Sequence, residues 1–295
     1  MYLILYSLIY LLSWIPRPLG LRLGGFMGDF FFRILKRRRQ IALNNLTVAF
    51  GEEKSPQERE AIARKSFQNL GRHFFEVIYL LRYDKAKLAS YVQYENVHYF
   101  YEAVAQGQGV VFLTGHFGCW ELLAVSSGYF LKPSFVITKP LDFGPAEKLV
   151  RTLREKSGNQ CVTKEKSMRR LMEILKQGGI LAILLDQNID WKDGVFVPFF
   201  NKRACTNKGL ALMVRKTRVP VVPAFIIDQG QGQYRVVFSP PLPWLSFGDK
   251  TKEIEENTAQ YNQAIEAMAR KYPEQYFWVH QRWKTRPYQP WPREK

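Results

Sequence analysis

Three features of the sequence predict an α/β fold. From residue 110 onward, short apolar runs recur: VVFLTG (110–115), SFVIT (134–138), ILAILLD (180–186), VPVVPAFII (219–227) and YRVVF (234–238). Helical stretches separate them. The runs are apolar along their whole length rather than alternating, as strands covered on both faces are. The expectation is a central sheet, mostly parallel or mixed, flanked by helices in a single α/β domain over residues 36–295. A hydrophobic, membrane-associated helical segment over residues 1–35 precedes it.

That first segment carries no charge from Met1 to Ile15. Such a stretch is shorter than the roughly 20 residues that span a bilayer. Pro16 and Pro18 interrupt it, LGGFMGDFFFRIL (23–35) resumes it, and KRRR (36–39) follows at once. A secretory signal has its charge before the apolar run, so this order is reversed. Apolar residues followed by a basic cluster suit a membrane with anionic lipid on its cytoplasmic face. Spanning the bilayer and lying in its interface both remain open at this point.

SPQERE (55–60) is a helix start, with a serine cap, proline at the first position and glutamate at the third, opening an amphipathic helix to about Arg82. A short helix over Val97–Gln106 stops at Gly107. Further helices are expected over 121–130, 145–156, 166–177, 208–216 and 252–271.

The net charge of +17, from 43 basic against 26 acidic residues, requires an anionic partner: nucleic acid, an acidic protein or an anionic membrane. No nucleic-acid-binding module is recognisable, and the apolar N-terminus argues against one. Cys119, Cys161 and Cys205 are odd in number, lack metal-ligand spacing and fit a reducing compartment. Neither a P-loop nor a dinucleotide fingerprint occurs, so no cofactor is expected, and His116, Cys119 and Glu121 without a second Cys/His cluster do not make a zinc site, so no metal is expected.

The chemistry gathers at TGHFGCWELLA (114–124). In open α/β sheets, active groups collect where strands end and helices begin. His116 stands at such an end between Gly115 and Gly118, and Glu121 follows in the next helix. A carboxylate there can hold one ring N–H, leaving the other nitrogen to take a proton from a substrate hydroxyl. Cys119, three residues from His116, allows a thiol nucleophile, but the motif reads better with the histidine as base. Asp186 ends its strand and is a candidate either for function or for a turn cap. Residues 194–227 hold no acid but contain Lys202, Arg203, Lys208, Arg215, Lys216 and Arg218, beside the apolar VFVPFF. Lys202, Arg203 and Thr206 are candidate contacts for an anionic, lipid-bearing substrate, with helix capping the alternative for Thr206. His280, in FWVHQRWKTR, is expected to be structural, and Arg282, Lys284 and Arg286 alternate beside it.

GHFGCWE (115–121), NNLTVAFGE (44–52), DGVFVPFFNKRACTNKG (193–209) and PEQYFWVHQRWKTRP (273–287), with the apolar N-terminus, resemble the bacterial lipid A biosynthesis acyltransferases, the late lauroyl and myristoyl enzymes of the lysophospholipid acyltransferase group. The resemblance covers nearly the whole chain. It implies acyl transfer from acyl-carrier protein to a hydroxyl of an anionic glycolipid, on the cytoplasmic side of the inner membrane, with His116 and Glu121 as the catalytic pair. Such a reaction needs donors for the developing oxyanion. The candidates are backbone N–H groups after His116, Arg154, and Arg169, which matches a basic position of the family. Two departures are visible: Cys119 stands where asparagine is common, and DQN (186–188) lacks a second acid found in some relatives. An acyl-CoA donor with another lipid acceptor is one alternative. A non-catalytic basic protein binding anionic lipid is the other.

Overall fold

The computed structural model describes residues 2–163 and 168–287. Five helices lead: α1 (Tyr2–Leu12), α2 (Arg17–Ile34), α3 (Lys36–Phe50), α4 (Pro56–Tyr79) and α5 (Lys85–Ala89). The strands and remaining helices then alternate as β1 (Val92–Glu95), α6 (His98–Ala105), β2 (Val110–Thr114), α7 (Trp120–Phe130), β3 (Phe135–Thr138), α8 (Gly144–Glu155), β4 (Gln160–Thr163), α9 (Met168–Lys176), β5 (Ile180–Leu184), β6 (Gly194–Phe199), β7 (Lys202–Asn207), α10 (Gly209–Thr217), β8 (Val221–Asp228), β9 (Tyr234–Phe238) and α11 (Lys250–Lys271). The expected start of α9 at Lys166 lies outside the described residues.

Seven strands form one sheet in the order β1-β9-β8-β2-β5-β3-β4. Only β8 and β9 pair antiparallel; every other neighbour is parallel. All five residues of β2 are buried at the centre. Its alternate side chains enter two cores, Val111 and Leu113 with α9, α10 and α11, and Val110 and Phe112 with α6, α7 and α8. Helices therefore cover both faces, which is why the strand sequences run apolar without alternation. β1 and β4 were not expected from sequence. They are four-residue edge strands with partly exposed side chains, so they lack that continuous signal. The segment 194–207 forms a separate antiparallel hairpin, turning at Phe200 (φ 53°) and packing against α11.

The N-terminal segment departs from a single membrane helix. No single helix among the described residues is long and apolar enough to cross a membrane, and α1 and α2 are bent by 114° across Pro16. Gly20, Gly24 and Gly28 of α2, one turn apart, face α4. A Cβ at Gly24 would fall on the carbonyl of Gly71, and one at Gly28 on the carbonyl of Phe67, so the two backbones touch along this seam. α2 is thereby fixed to the α/β body rather than free to be surrounded by lipid. Its far face exposes Leu19, Leu23, Phe26 and Phe30, and α1 exposes Leu3, Ile4, Leu8 and Leu11. α4 starts with the expected capping box between Ser55 and Glu58. α3, whose KRRR start was read only as a charge cluster, buries Asn45. The amide of Asn45 donates to the carbonyls of Trp278 (2.7 Å) and His280 (2.6 Å), tying the C-terminal segment to the helices.

Candidate active site

β2 delivers His116 to the carboxyl edge of the sheet, between the ends of β8 and β5. The turn from Gly115 to Cys119 is tightly specified. Gly118 has φ +54°, and a Cβ there would overlap the carbonyl of Ile226. The C-terminal segment fastens the turn from the other side: Phe277 N donates to His116 O (3.0 Å), and Gly118 N donates to Gln275 O (2.9 Å).

Asp186, just beyond β5, holds the imidazole. Its Oδ1 lies 2.8 Å from His116 Nδ1, and its Oδ2 accepts the His116 backbone N–H at 3.0 Å. The Asp186 side chain is buried, whereas that of His116 remains 19% exposed. Burial pushes the Asp186 carboxyl up, but the His116 ring, its two hydrogen bonds and the nearby Arg282 outweigh this and hold it down at about 2. Asp186 is thus an anion and an acceptor, which places the proton of a neutral His116 on Nδ1 and leaves Nε2 as an acceptor. The Gln187 amide stands 3.1 Å from that Nε2 and can donate to it. Trp120 and Phe277 wall the ring, with centroids at 5.1 and 5.7 Å.

The expected contact between Glu121 and His116 does not form. Glu121 instead receives Arg154 bidentately, Nε to Oε2 at 2.7 Å and Nη2 to Oε1 at 2.5 Å, and accepts the Trp120 indole N–H at 3.1 Å. The physical reason is the helix. Glu121 is in the first turn of α7, whose neighbour α8 presents a half-buried arginine needing a counter-ion. Burial works against the charge of Arg154, yet Glu121 more than offsets it and its pKa is raised. Arg154 is therefore at the site through Glu121.

The other sequence candidates separate. Arg169 lies on the open face of α9, 93% exposed, paired with Glu173 at 3.2 Å. Lys202 is exposed at the start of β7, and exposed Arg203 donates across the hairpin to the carbonyl of Phe196. Thr206 is fully buried. Its hydroxyl accepts from Arg282 (2.5 Å) and Asn262 (3.0 Å), so it neither caps α10 nor reaches a headgroup. Asp186 is the imidazole's partner rather than a substrate contact. Phe117 and Gly118 have committed their N–H groups to Gly115 O and Gln275 O, which leaves the later amides of the turn as donors. Cys119 is buried and its thiol is pushed well up, first by burial, which disfavours a thiolate. No group of three potential metal ligands occurs among the described residues.

Sequence reasoning missed Gln187, Trp120 and Phe277, and it read Arg282 only as one of three alternating cations. The buried Arg282 donates to Cys205 O (2.8 Å) as well as Thr206, and its Nη1 is 3.5 Å from Gln187 O. His280 Nε2 accepts the Asn188 N–H at 3.0 Å, and burial lowers its pKa to about 4, so it stays neutral and structural as expected. The DQN loop and the HQRWKT segment thus brace each other. The signal available in sequence was the polarity of two segments with no apolar periodicity of their own.

Residues 1–285 match the family model described as bacterial lipid A biosynthesis acyltransferase. The lipid A biosynthesis lauroyltransferase of Escherichia coli (strain K12) is 28% identical over 285 residues, covering 95% of this chain and 90% of that protein. The palmitoleoyltransferase of the same organism is 26% identical, with 95% and 90% covered. Its myristoyltransferase is 26% identical, with 91% and 81% covered.

Proposed function

The chain belongs to the bacterial lipid A biosynthesis acyltransferase family and is an O-acyltransferase; on that premise we propose that His116, held by Asp186, is the general base acylating a hydroxyl of a lipid A precursor. The observation carrying this reading is the 2.8 Å bond from His116 Nδ1 to Asp186, which leaves Nε2 as the acceptor; the substrate hydroxyl takes the place of the Gln187 amide there. His116 Nε2 takes the hydroxyl proton as the oxygen bonds to the thioester carbonyl carbon. The carbon–sulfur bond then breaks, and the imidazolium returns the proton to the departing thiolate. Atoms balance as one ester and one thiol. Asp186 stays ionised throughout, fixing the ring and stabilising its charge. The N-terminus of α7, with its dipole, supports the oxyanion. Glu121 and Arg154 hold Trp120 and the mouth of the site.

The donor in this proposal is an acyl thioester of acyl-carrier protein, an acidic partner suited to a chain of net charge +17. The exposed apolar faces of α1 and α2 rest in the cytoplasmic leaflet of the inner membrane, with the helices lying in the interface.

Acyl transfer from purified acyl-carrier thioester to a lipid A precursor, followed by mass spectrometry, is the test. His116→Ala lowers turnover by about 10³-fold, and Asp186→Asn by about 10²-fold or more with little change in KM. Glu121→Gln has the smaller effect. Full activity in Asp186→Asn alongside collapse of Glu121→Gln would return the orienting role to Glu121. Full activity in His116→Ala would end the catalytic assignment.

A further inference from the structure

A cleft of about 590 Å³ opens between α2, α4, the β8–β9 turn and the turn at Pro273–Gln275. Four cations line it, Arg17, Arg22, Lys65 and Arg72, against two carboxylates, Asp228 and Glu274. Arg17 is already committed to Glu76 (2.6 Å) and the carbonyl of Gly232 (2.6 Å). Asp228 accepts the Gly230 amide at 2.7 Å. Arg72 gives Nη1 to Asn69 (2.6 Å), and its charge acts on the Asp228 carboxylate. Arg22 and Lys65 are exposed and have no ion-pair partner among the described residues. Unpaired cations gathered in a concavity, rather than spread over a convex helix, form a site for an anion. The hollow continues along α2 and α4 through Lys65 and Gln68 to Arg39 and to Arg33 and Arg64, which share Asp29 as their counter-ion.

The position of Arg22 indicates which anion. It stands one helical turn before the exposed Phe26, on the flank of the row Leu19, Leu23, Phe26 and Phe30. A surface that takes Phe26 and Phe30 among acyl chains puts the Arg22 guanidinium at headgroup depth, where phosphates are. An acidic protein would explain the charge but not this apolar border. We propose that the cleft binds the phosphate of an anionic phospholipid headgroup, separately from the acyl donor and acceptor. The site rests on the interfacial placement of α2 proposed above. It shares a wall with the catalytic turn, since Gln275 lines the cleft and its carbonyl accepts the Gly118 N–H at 2.9 Å.

The experiment is cosedimentation of the full chain with vesicles of phosphatidylcholine, alone or mixed with phosphatidylglycerol. Replacing Arg22 and Lys65 together by Gln lowers partition into the phosphatidylglycerol vesicles by about thirtyfold, about fivefold for each cation lost. Arg22→Lys keeps the affinity. A control pair, Lys216→Gln with Lys250→Gln, alters exposed cations at the end of α10 and the start of α11, which Arg215 and Glu253 join at 2.7 Å next to the start of β8, away from the β8–β9 turn that lines the cleft, and changes partition little. An equal fall in the control pair overturns the proposal, because general surface charge then suffices. Equal wild-type affinity for both vesicle types overturns the anionic-headgroup site alone, since phosphatidylcholine carries a phosphate but no net charge, whereas binding to neither removes the interfacial placement as well. Inorganic phosphate, titrated without lipid and followed by phosphorus NMR, is the second probe. Phosphate binding that the cleft variant loses while keeping its vesicle affinity assigns the site to free phosphate and overturns the lipid. Intact vesicle affinity with loss of affinity for an acidic carrier protein overturns it in favour of a protein surface.

Discussion

Asp186 and Glu121 flank the same turn, the one that carries His116, and they take different partners. Asp186 meets an imidazole that remains partly open to solvent. Glu121 meets a guanidinium nearly as enclosed as itself, with side-chain exposures of 17% for Arg154 and 15% for Glu121. Breaking such a pair on one side leaves an uncompensated charge. Arg154→Met and Glu121→Met each destabilise the protein by about 3 kcal/mol, and the double variant by clearly less than their sum. Denaturant titrations of the four proteins measure this; strict additivity would show that the pair is solvated. Which acid orients His116 was not legible in sequence. The spacing from His116 to Glu121 is local, whereas Asp186 reaches the ring only because β5 lies beside β2 in parallel register.

At the scale of elements, the α2–α4 seam governs how the apolar N-terminus is presented. Gly71 of α4 meets Gly24 of α2 with no room for a side chain on either. Gly71→Ala forces the helices apart and costs about 2 kcal/mol, as overpacking does. It also frees the α2–α3 junction for proteolysis, so limited digestion should cut the variant near Leu35 first. An unchanged digestion pattern would mean that the seam does not hold α2. The existence of α2 was legible as an apolar stretch, but its one-sided attachment was not. Glycines at 20, 24 and 28 have the same spacing whether they face another membrane helix or a helix of the α/β body, and only the partner tells the two apart. The long buried strands were legible because both faces are covered. β1 and β4 were not, because these edge strands mix polar with apolar residues, and the hairpin was not, because β6 (GVFVPF) carries a proline and β7 (KRACTN) is largely polar.

For the molecule as a whole, the buried His73 and the half-buried His280 make stability depend on pH. Burial lowers His73 from 6.5 to about 3, with Arg72 adding to it, and neither ring nitrogen has a hydrogen-bond partner among the described residues. Burial likewise lowers His280 to about 4. Below pH 6.5 the unfolded chain binds protons that the folded chain refuses, so stability falls as the pH drops from 6.5 toward 4. At about pH 5 the two groups together remove about 4 kcal/mol relative to neutral pH. His73→Leu should remove about half of that dependence, read as the difference between denaturation midpoints at neutral and mildly acid pH. An unaltered pH dependence would show that His73 is hydrated in solution. Asp186 acts lower still. Its depressed pKa adds stability that is present above its unfolded value of 3.8 and lost as the pH falls through about 2.

From the amino-acid sequence come the α/β class, the positions of the buried strands along the chain, the placement of His116 where β2 gives way to α7, and an apolar N-terminus followed by basic charge. These are properties of short segments, set by periodicity, capping and composition. Tertiary structure alone decided that Asp186 rather than Glu121 holds His116, that Thr206 is buried beneath Arg282, and that α1 and α2 fold back against the body. Each of those depends on which distant segments become neighbours, and side-chain pairing in a buried, low-dielectric setting follows proximity in space, to which spacing along the chain is blind.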